Sequence, residues 1–326
     1  MHREVKDTWK NAFFASPGPV TFKNAALLLL KGLCMGSADV IPGVSGGTIA
    51  LITGIYEELI QALKSFDATM AKKVFNLDLM GALAGVHVRF LLCLFTGIGI
   101  AIVSFARLMN YLLNQYPIFT WSLFFGLIAA SILVVSRQVA TWTAGAGISL
   151  VFGTIVAAFI VNLIPVSTPD TLWFIFLCGI IAICAMILPG ISGAFILLIL
   201  GKYEFITATL KNPFVPQQLL IIIVFGLGCL IGLLSFARLL NYLLKNFRSL
   251  TMTFLTGLMA GSIIKIWPWK EIIQTKIVGG KPRVIWGANI MPETLNSEVL
   301  IALGLAIIGF IAVLIIDRLA RLKNSD

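Results

Sequence analysis

Histidine is almost missing from this chain of 326 residues: only His2 and His87 occur, both in polar flanks. A membrane lipid-phosphate phosphatase of the kind that needs imidazole for nucleophilic or acid–base work therefore has little to draw on, and no catalytic residue is assigned. Acidic residues are scarce as well, 14 against 24 Lys and Arg, and charged residues of both signs reach only 12%, about half of what a soluble domain carries. The five cysteines, Cys34, Cys93, Cys178, Cys184 and Cys229, lie in apolar segments at no metal-ligand spacing and are odd in number. Neither a disulfide framework nor a metal or other cofactor is expected. Arg3, Lys6, Lys10 and Lys23 precede no apolar region with a small-residue cleavage site, so no removable signal peptide is expected.

What the chain has in abundance is hydrophobic length. Apolar residues make up 59% of it and mean hydropathy is +1.00, which makes a bilayer its solvent. Stretches long enough to span include Phe90 to Leu113, Ile118 to Val135, Ile148 to Ile164, Gln218 to Leu244 and Val299 to Ile316. Six clear spans and two interrupted apolar regions result. The net charge of +10 sits in short loops between spans, a pattern of membrane topology and not of nucleic-acid binding. Val5, Trp9 and Phe13, four residues apart and flanked by basic residues, suit a short helix lying on an anionic leaflet.

Two strings recur. Ile41-Pro-Gly-Val-Ser-Gly-Gly-Thr48 with Gly54-Ile-Tyr-Glu57 is matched by Leu188-Pro-Gly-Ile-Ser-Gly-Ala-Phe195 with Gly201-Lys-Tyr-Glu204. Ser104-Phe-Ala-Arg-Leu-Met-Asn-Tyr111 is matched by Ser235-Phe-Ala-Arg-Leu-Leu-Asn-Tyr242. The expected architecture is an all-α polytopic membrane protein of two repeats, each a re-entrant helical hairpin plus three transmembrane helices. An odd number of crossings per repeat inverts one half relative to the other. The expected division is an interfacial segment at 1–24, a first repeat at 25–165, a second at 166–320 and a tail at 321–326. Both termini are placed in the cytoplasm, because Lys64, Lys72, Lys73, Arg89, Arg137, Lys245, Arg248 and the basic tail then face inward while 114–117 and 165–171 carry no Lys or Arg. The outer loop 265–297 breaks the trend with Lys265, Lys270, Lys276, Lys281 and Arg283.

A Pro-Gly-x-Ser-Gly string inside an apolar run breaks a helix and sets the free N–H groups of the next half-helix around Ser45, Gly46, Gly47 and Thr48, and around Ser192 and Gly193. Such termini suit phosphate; the bland alternative is a kink that lets helices pack closely, as at Gly32/Gly36 and Gly257/Gly261. Arg107 and Arg238 sit in long apolar helices, where a charge costs roughly 2.5–3.5 kcal/mol at the bilayer centre on the gentler scale. Each shares a face with Asn (Asn110, Asn241) and Tyr (Tyr111, Tyr242), and the guanidinium fork matches phosphate; the alternative is snorkelling to headgroups. Asp39, whose counterpart is Met186, is a candidate for coupling to a proton or Na+. Tyr56, Glu57, Tyr203 and Glu204 are supporting candidates, the glutamates as ion-pair partners of the arginines.

The segment Lys31 to Ala50, the second Pro189-Gly-Ile-Ser-Gly193 and the paired Ser-Phe-Ala-Arg strings resemble the PopT-type polyprenyl-phosphate transporters, over about Leu27 to Leu319. The resemblance implies a bacterial plasma-membrane protein that returns undecaprenyl phosphate from the outer to the inner leaflet, with a lipid phosphate and membrane lipids as its partners. From the residues alone, an ion-coupled symporter of a small anionic solute stands beside it.

Overall fold

The computed structural model describes residues 9–40, 45–210, 214–278 and 281–323. Val5, the first Pro-Gly pair at 42–43 and the last residues of the tail lie outside them. The first half begins with a short helix α1 (Trp9–Ala15) and continues through α2 (Phe22–Asp39), α3 (Gly46–Ile52) and α4 (Tyr56–Lys64). Two small helices, α5 (Ala68–Phe75) and α6 (Leu79–Gly85), then occupy the polar stretch that has no counterpart later, each started by an aspartate cap, Asp67 and Asp78. Three long helices close the half: α7 (Val88–Gln115), α8 (Pro117–Ser136) and α9 (Ala144–Val161). The second half repeats the order as α10 (Leu172–Ile187), α11 (Gly193–Ile199), α12 (Tyr203–Thr209), α13 (Pro216–Asn246), α14 (Arg248–Ser262) and α15 (Ser297–Lys323).

The chain is mostly helical, and six of the described helices are long and apolar enough to cross a membrane: Val88–Phe105, Pro117–Ser136, Ala144–Val161, Pro216–Asn246, Arg248–Ile266 and Ser297–Arg318. Their outward faces are greasy, as Ile148, Val151, Phe152, Ile155 and Phe159 on α9 illustrate. The helical expectation needs one addition. After a 3-10 turn at Ile263–Ile266, β1 (Lys270–Val278) and β2 (Lys281–Asn289) pair antiparallel within the 265–297 loop. The sequence signal there is the Gly279-Gly280 pair between two short runs holding Ile and Val, easily passed over beside the long apolar runs.

Local geometry repeats between the halves. Helices α3 and α11 both end on a left-handed glycine, Gly54 at φ 71° and Gly201 at φ 66°, with the next N–H reaching back to Ala50 O at 2.9 Å and Leu197 O at 2.8 Å. Beyond α7 and α13, the Tyr111–Tyr116 and Tyr242–Phe247 ring pairs have equal centroid separations of 6.3 Å. The joints into α8 and α14 share one backbone conformation, Tyr116 at φ −133° and Phe247 at φ −133°.

Packing follows glycine seams. Within each half, α2 lies along α7 at Gly32 and Gly97, and α10 along α13 at the equivalent Gly179 and Gly228; a Cβ at any of the four would run into the opposite backbone. Between halves the third helices are exchanged: α8 packs on α15 through Gly126 and Gly309, and α14 packs on α9 through Gly257 and Gly153. With lipid as apolar as leucine, this backbone-to-backbone closeness supplies the attraction between helices. At the chain's start, Ser16 Oγ donates to Val86 O at 2.6 Å and Arg89 donates to the Pro19 carbonyl at 3.2 Å, tying α1 to the foot of α7.

Valine at Gly126, which would collide with the Ala306 carbonyl, is expected to cost on the order of 1–3 kcal/mol. Valine at Gly304, whose Cβ direction is open, is expected to be near neutral. Thermal unfolding of the detergent-purified variants checks this, and equal melting shifts for the two would sink the seam argument.

Candidate functional site

The two Ser-Gly turns meet. Pro189 cannot donate to the helix before it and Gly190 turns the chain at φ 85°, so α10 stops at Ile187 and its last carbonyls lose their helical partners. The first half supplies replacements. Ser45 Oγ lies 3.1 Å from Leu188 O and 3.4 Å from Met186 O, and the Tyr56 hydroxyl donates to Ile187 O at 3.2 Å. Gly190 N–H in turn donates to Thr48 Oγ1 at 3.1 Å. Gly47 has to lack a side chain, since its Cβ would sit 2.6 Å from Ile187 O. Ser45, Thr48, Tyr56 and Ser192 are all buried.

The first N–H groups of α3 are all taken. Gly46 N–H donates to Asp39 Oδ1 at 2.7 Å, Gly47 N–H to Ser45 Oγ at 3.2 Å, and Thr48 N–H to Ser45 O at 3.0 Å. Of the N–H groups that the sequence offers to a phosphate, that of Gly46 thus already faces the chain's own carboxylate, and those of Gly47 and Thr48 face oxygens of Ser45. The second turn differs: Met186 stands where Asp39 stands in the first, and the Ser192 side chain makes no capping bond to α11. Gly193 instead packs its bare face toward Ala182 O, 2.5 Å from where a Cβ would be.

A cavity of about 700 Å³ opens between α4, α13 and α14. Glu57, Gln61, Lys64, Ser65, Asp67, Asn241, Lys245 and Arg248 line it together with Ile60 and Leu244. Arg248 Nη2 pairs with Glu57 Oε1 at 2.7 Å across the mouth; both are half exposed, so the pair steers geometry more than it stabilises. Asp67 caps α5 by accepting from Met70 N–H at 2.8 Å, and that bond holds its carboxyl below the usual range. Arg238, one turn before Asn241, is exposed and donates to Phe66 O at 2.9 Å and Leu234 O at 3.2 Å, so its guanidinium hangs beside this cavity and not over the Ser-Gly turns.

The remaining sequence candidates are scattered. Arg107 is exposed on α7, on the side away from the buried Ala101 and Met109. The Asn110 side chain lies outside the described residues. Glu57 pairs with Arg248 and with neither arginine proposed from sequence; Glu204 is exposed on α12, and Tyr203 is half-buried against Cys178 and Leu197. Sequence reasoning counted Lys64, Lys245 and Arg248 as topology charges and missed their convergence. The available signal was the spacing of Arg238, Asn241 and Lys245 on one face of α13.

A model of the VCA0040-like, undecaprenyl phosphate translocase-like family matches residues 35–280. The chain belongs to this family. A Vibrio cholerae protein named polyprenyl-phosphate transporter is 42% identical over 273 residues, covering 82% of this chain and 87% of the relative. A Staphylococcus aureus protein of the same name is 29% identical over 256 residues, covering 74% and 85%. These family members are named as transporters and not as enzymes. No solved structure matches the chain.

Because Ser45 joins both halves and Ser192 caps nothing, Ser45→Ala is expected to lower stability by about 1–2 kcal/mol and Ser192→Ala by well under half of that. Denaturant titration in detergent reads the difference. Ser192→Ala proving the more costly of the two would overturn the assigned bonding pattern.

Proposed function

We propose that this protein carries a polyprenyl phosphate, undecaprenyl phosphate in the family's own terms, from the outer to the inner leaflet of the bacterial plasma membrane for reuse as a cell-wall lipid carrier. The observation that carries the reading is the cavity beside Arg238, where Lys64, Lys245 and Arg248 converge alongside Glu57 and Asp67, in a chain of a family named for translocating that lipid. Guanidinium and ammonium groups at this cavity suit a phosphate headgroup, while the greasy outer faces of the helices leave a prenyl tail in lipid.

The route proposed runs between two inverted repeats, 25–165 and 166–320, with both termini cytoplasmic. That orientation puts the Lys64, Lys245 and Arg248 cavity on the inner side and the β-hairpin loop outside, in keeping with the charge bias of the short loops. Arg107, late on α7, then lies toward the outer leaflet, and Arg238, late on α13, toward the inner one. The Ser-Gly junction lies between them, and in the proposed cycle a passing phosphate competes with Asp39 for Gly46 N–H. Asp39 is therefore the group in which coupling to a proton or Na+ is proposed to reside. Single cysteines at Asn114 and Ser167 are expected to react with an impermeant thiol reagent from outside, and ones at Lys72 and Asn246 are not; labelling of Asn114 and Asn246 from one side contradicts the inversion.

In vesicles of known orientation, Arg238→Gln is expected to slow transfer of labelled polyprenyl phosphate at least about tenfold, while Arg238→Lys, which keeps the charge and loses the fork, retains part of the activity. Arg107→Gln is expected to impair uptake from the outer leaflet specifically. Wild-type rates in both glutamine variants would reduce the arginines to interfacial anchors and remove this mechanism.

A further inference from the structure

We propose that Lys265 and Lys270 form a binding site for a phosphomonoester headgroup beside the second Ser-Gly turn, at the end of α14 opposite the Arg248 cavity. Lys265 lies in the 3-10 turn that follows α14, and its Nζ sits 4.6 Å from the centre of the Phe195 ring on α11, two residues beyond Gly193. Lys270 starts β1, donates from Nζ to the Lys265 carbonyl and places the same Nζ 5.4 Å from the centre of the Trp121 ring on α8. Three separate elements thus converge on one pair of half-buried ammonium groups.

What the pair lacks is an anion. Lys202 pairs with Asp170 and Arg248 with Glu57, whereas among the described residues neither Lys265 nor Lys270 has a carboxylate partner, and Glu271, next along the strand, is exposed. Burial first, and the Lys265 ammonium second, push the Lys270 ammonium down to about 8. Two like charges held together in partial burial repel and lose hydration, a cost that aromatic faces offset only in part. A bound dianion removes that cost. The second turn is also the one without a built-in carboxylate, Met186 replacing Asp39, and Gly190 of that turn packs directly on Met259 and Ser262 just before Lys265.

The chemistry selects among anions. A phosphomonoester carries about −1.5 to −2 charge at neutral pH, matching two ammonium groups, whereas the phosphodiester of an ordinary phospholipid carries a single charge. Trp121 faces Lys270, and Phe125 and Trp269 pack on Trp267 with ring centres 5.4 and 5.6 Å away, close by in the chain; indole rings prefer the membrane–water boundary. Arg248 and Lys265 are separated by the length of α14, about 25 Å at the helical rise, so the two cationic sites belong to opposite membrane faces. On the orientation proposed above, the lysine pair is where a headgroup is collected from the outer leaflet; this placement rests on the transport reading, the anion site itself does not.

The test uses the full chain in phosphatidylcholine nanodiscs, titrated separately with farnesyl phosphate, farnesol, inorganic phosphate and phosphatidylglycerol, and read by tryptophan fluorescence and native mass spectrometry. Farnesyl phosphate is expected to bind wild type, to bind the Lys265→Gln/Lys270→Gln variant at least about tenfold more weakly, and to bind the double arginine variant within about threefold of wild type. The single glutamine variants, expected to lose about threefold or more, serve if the double variant does not fold. Farnesol affinity is expected to be the same in all of them. Equal farnesyl phosphate affinity in folded wild-type and glutamine variants overturns the site and leaves the transport reading standing. Lysine-dependent binding of inorganic phosphate alone, with no binding of farnesyl phosphate, supports the site and removes the lipid reading. Phosphatidylglycerol competing as well as farnesyl phosphate overturns the monoester assignment.

Discussion

A helix interrupted among buried apolar side chains leaves N–H and C=O groups that no water will satisfy, and the central architecture of this protein answers that constraint. The break at Pro189 frees carbonyls on α10, and hydroxyls from the other half, those of Ser45 and Tyr56, reach them. Gly190 N–H completes the exchange at Thr48. Helices α3 and α11 are seven residues each, too short to persist alone, so they exist because the halves press these turns together. Passage of any charged group through the centre has to work against the same bonds that hold the centre closed.

The two halves share a shape but not a chemistry. Asp39 answers Gly46 in the first turn, and Met186 leaves the second turn without an acid. The tip of the first hairpin is held by Lys31 donating to Thr53 O at 2.7 Å. At the second tip, Lys202 replaces Ile55; it is buried under Phe174 and Phe205, pairs with Asp170 and donates to Thr168 O at 2.7 Å. These substitutions at matched positions are where the two halves differ in chemistry.

The fold was largely legible because its signals are long: apolar runs of spanning length and near-verbatim repeated strings survive any uncertainty about single residues. The meeting of the Ser-Gly turns was implicit in their duplication, yet their bonding was not, since nothing in the string Val44-Ser45-Gly46-Gly47 says that Ser45 would turn to carbonyls 143 residues away. Arg238 drew attention by being charged in grease, while Lys64, Lys245 and Arg248 did not, because a basic residue at a helix end has an ordinary topological reason to be there. The β-hairpin and the lysine pair beside it were hidden for a similar reason. Loop charges read as exceptions to a rule when only sequence distance is known, and as a cluster once α8, α11 and the end of α14 are brought together.

The exchanged third helices bear on how such a molecule deforms. Helix α9 belongs to the first half by sequence and to α14 by packing, while α15 belongs to the second half and to α8, so a motion of half against half would tear two glycine seams at once. Helices α8, α9, α14 and α15 therefore form one scaffold drawn from both halves. Against it stand two lighter bodies, α2 with α7 and α10 with α13, each carrying one end of a broken hairpin. The natural line of cleavage follows the packing and cuts across the repeated strings, so helices that would move as one body are not those that repeat one another in sequence.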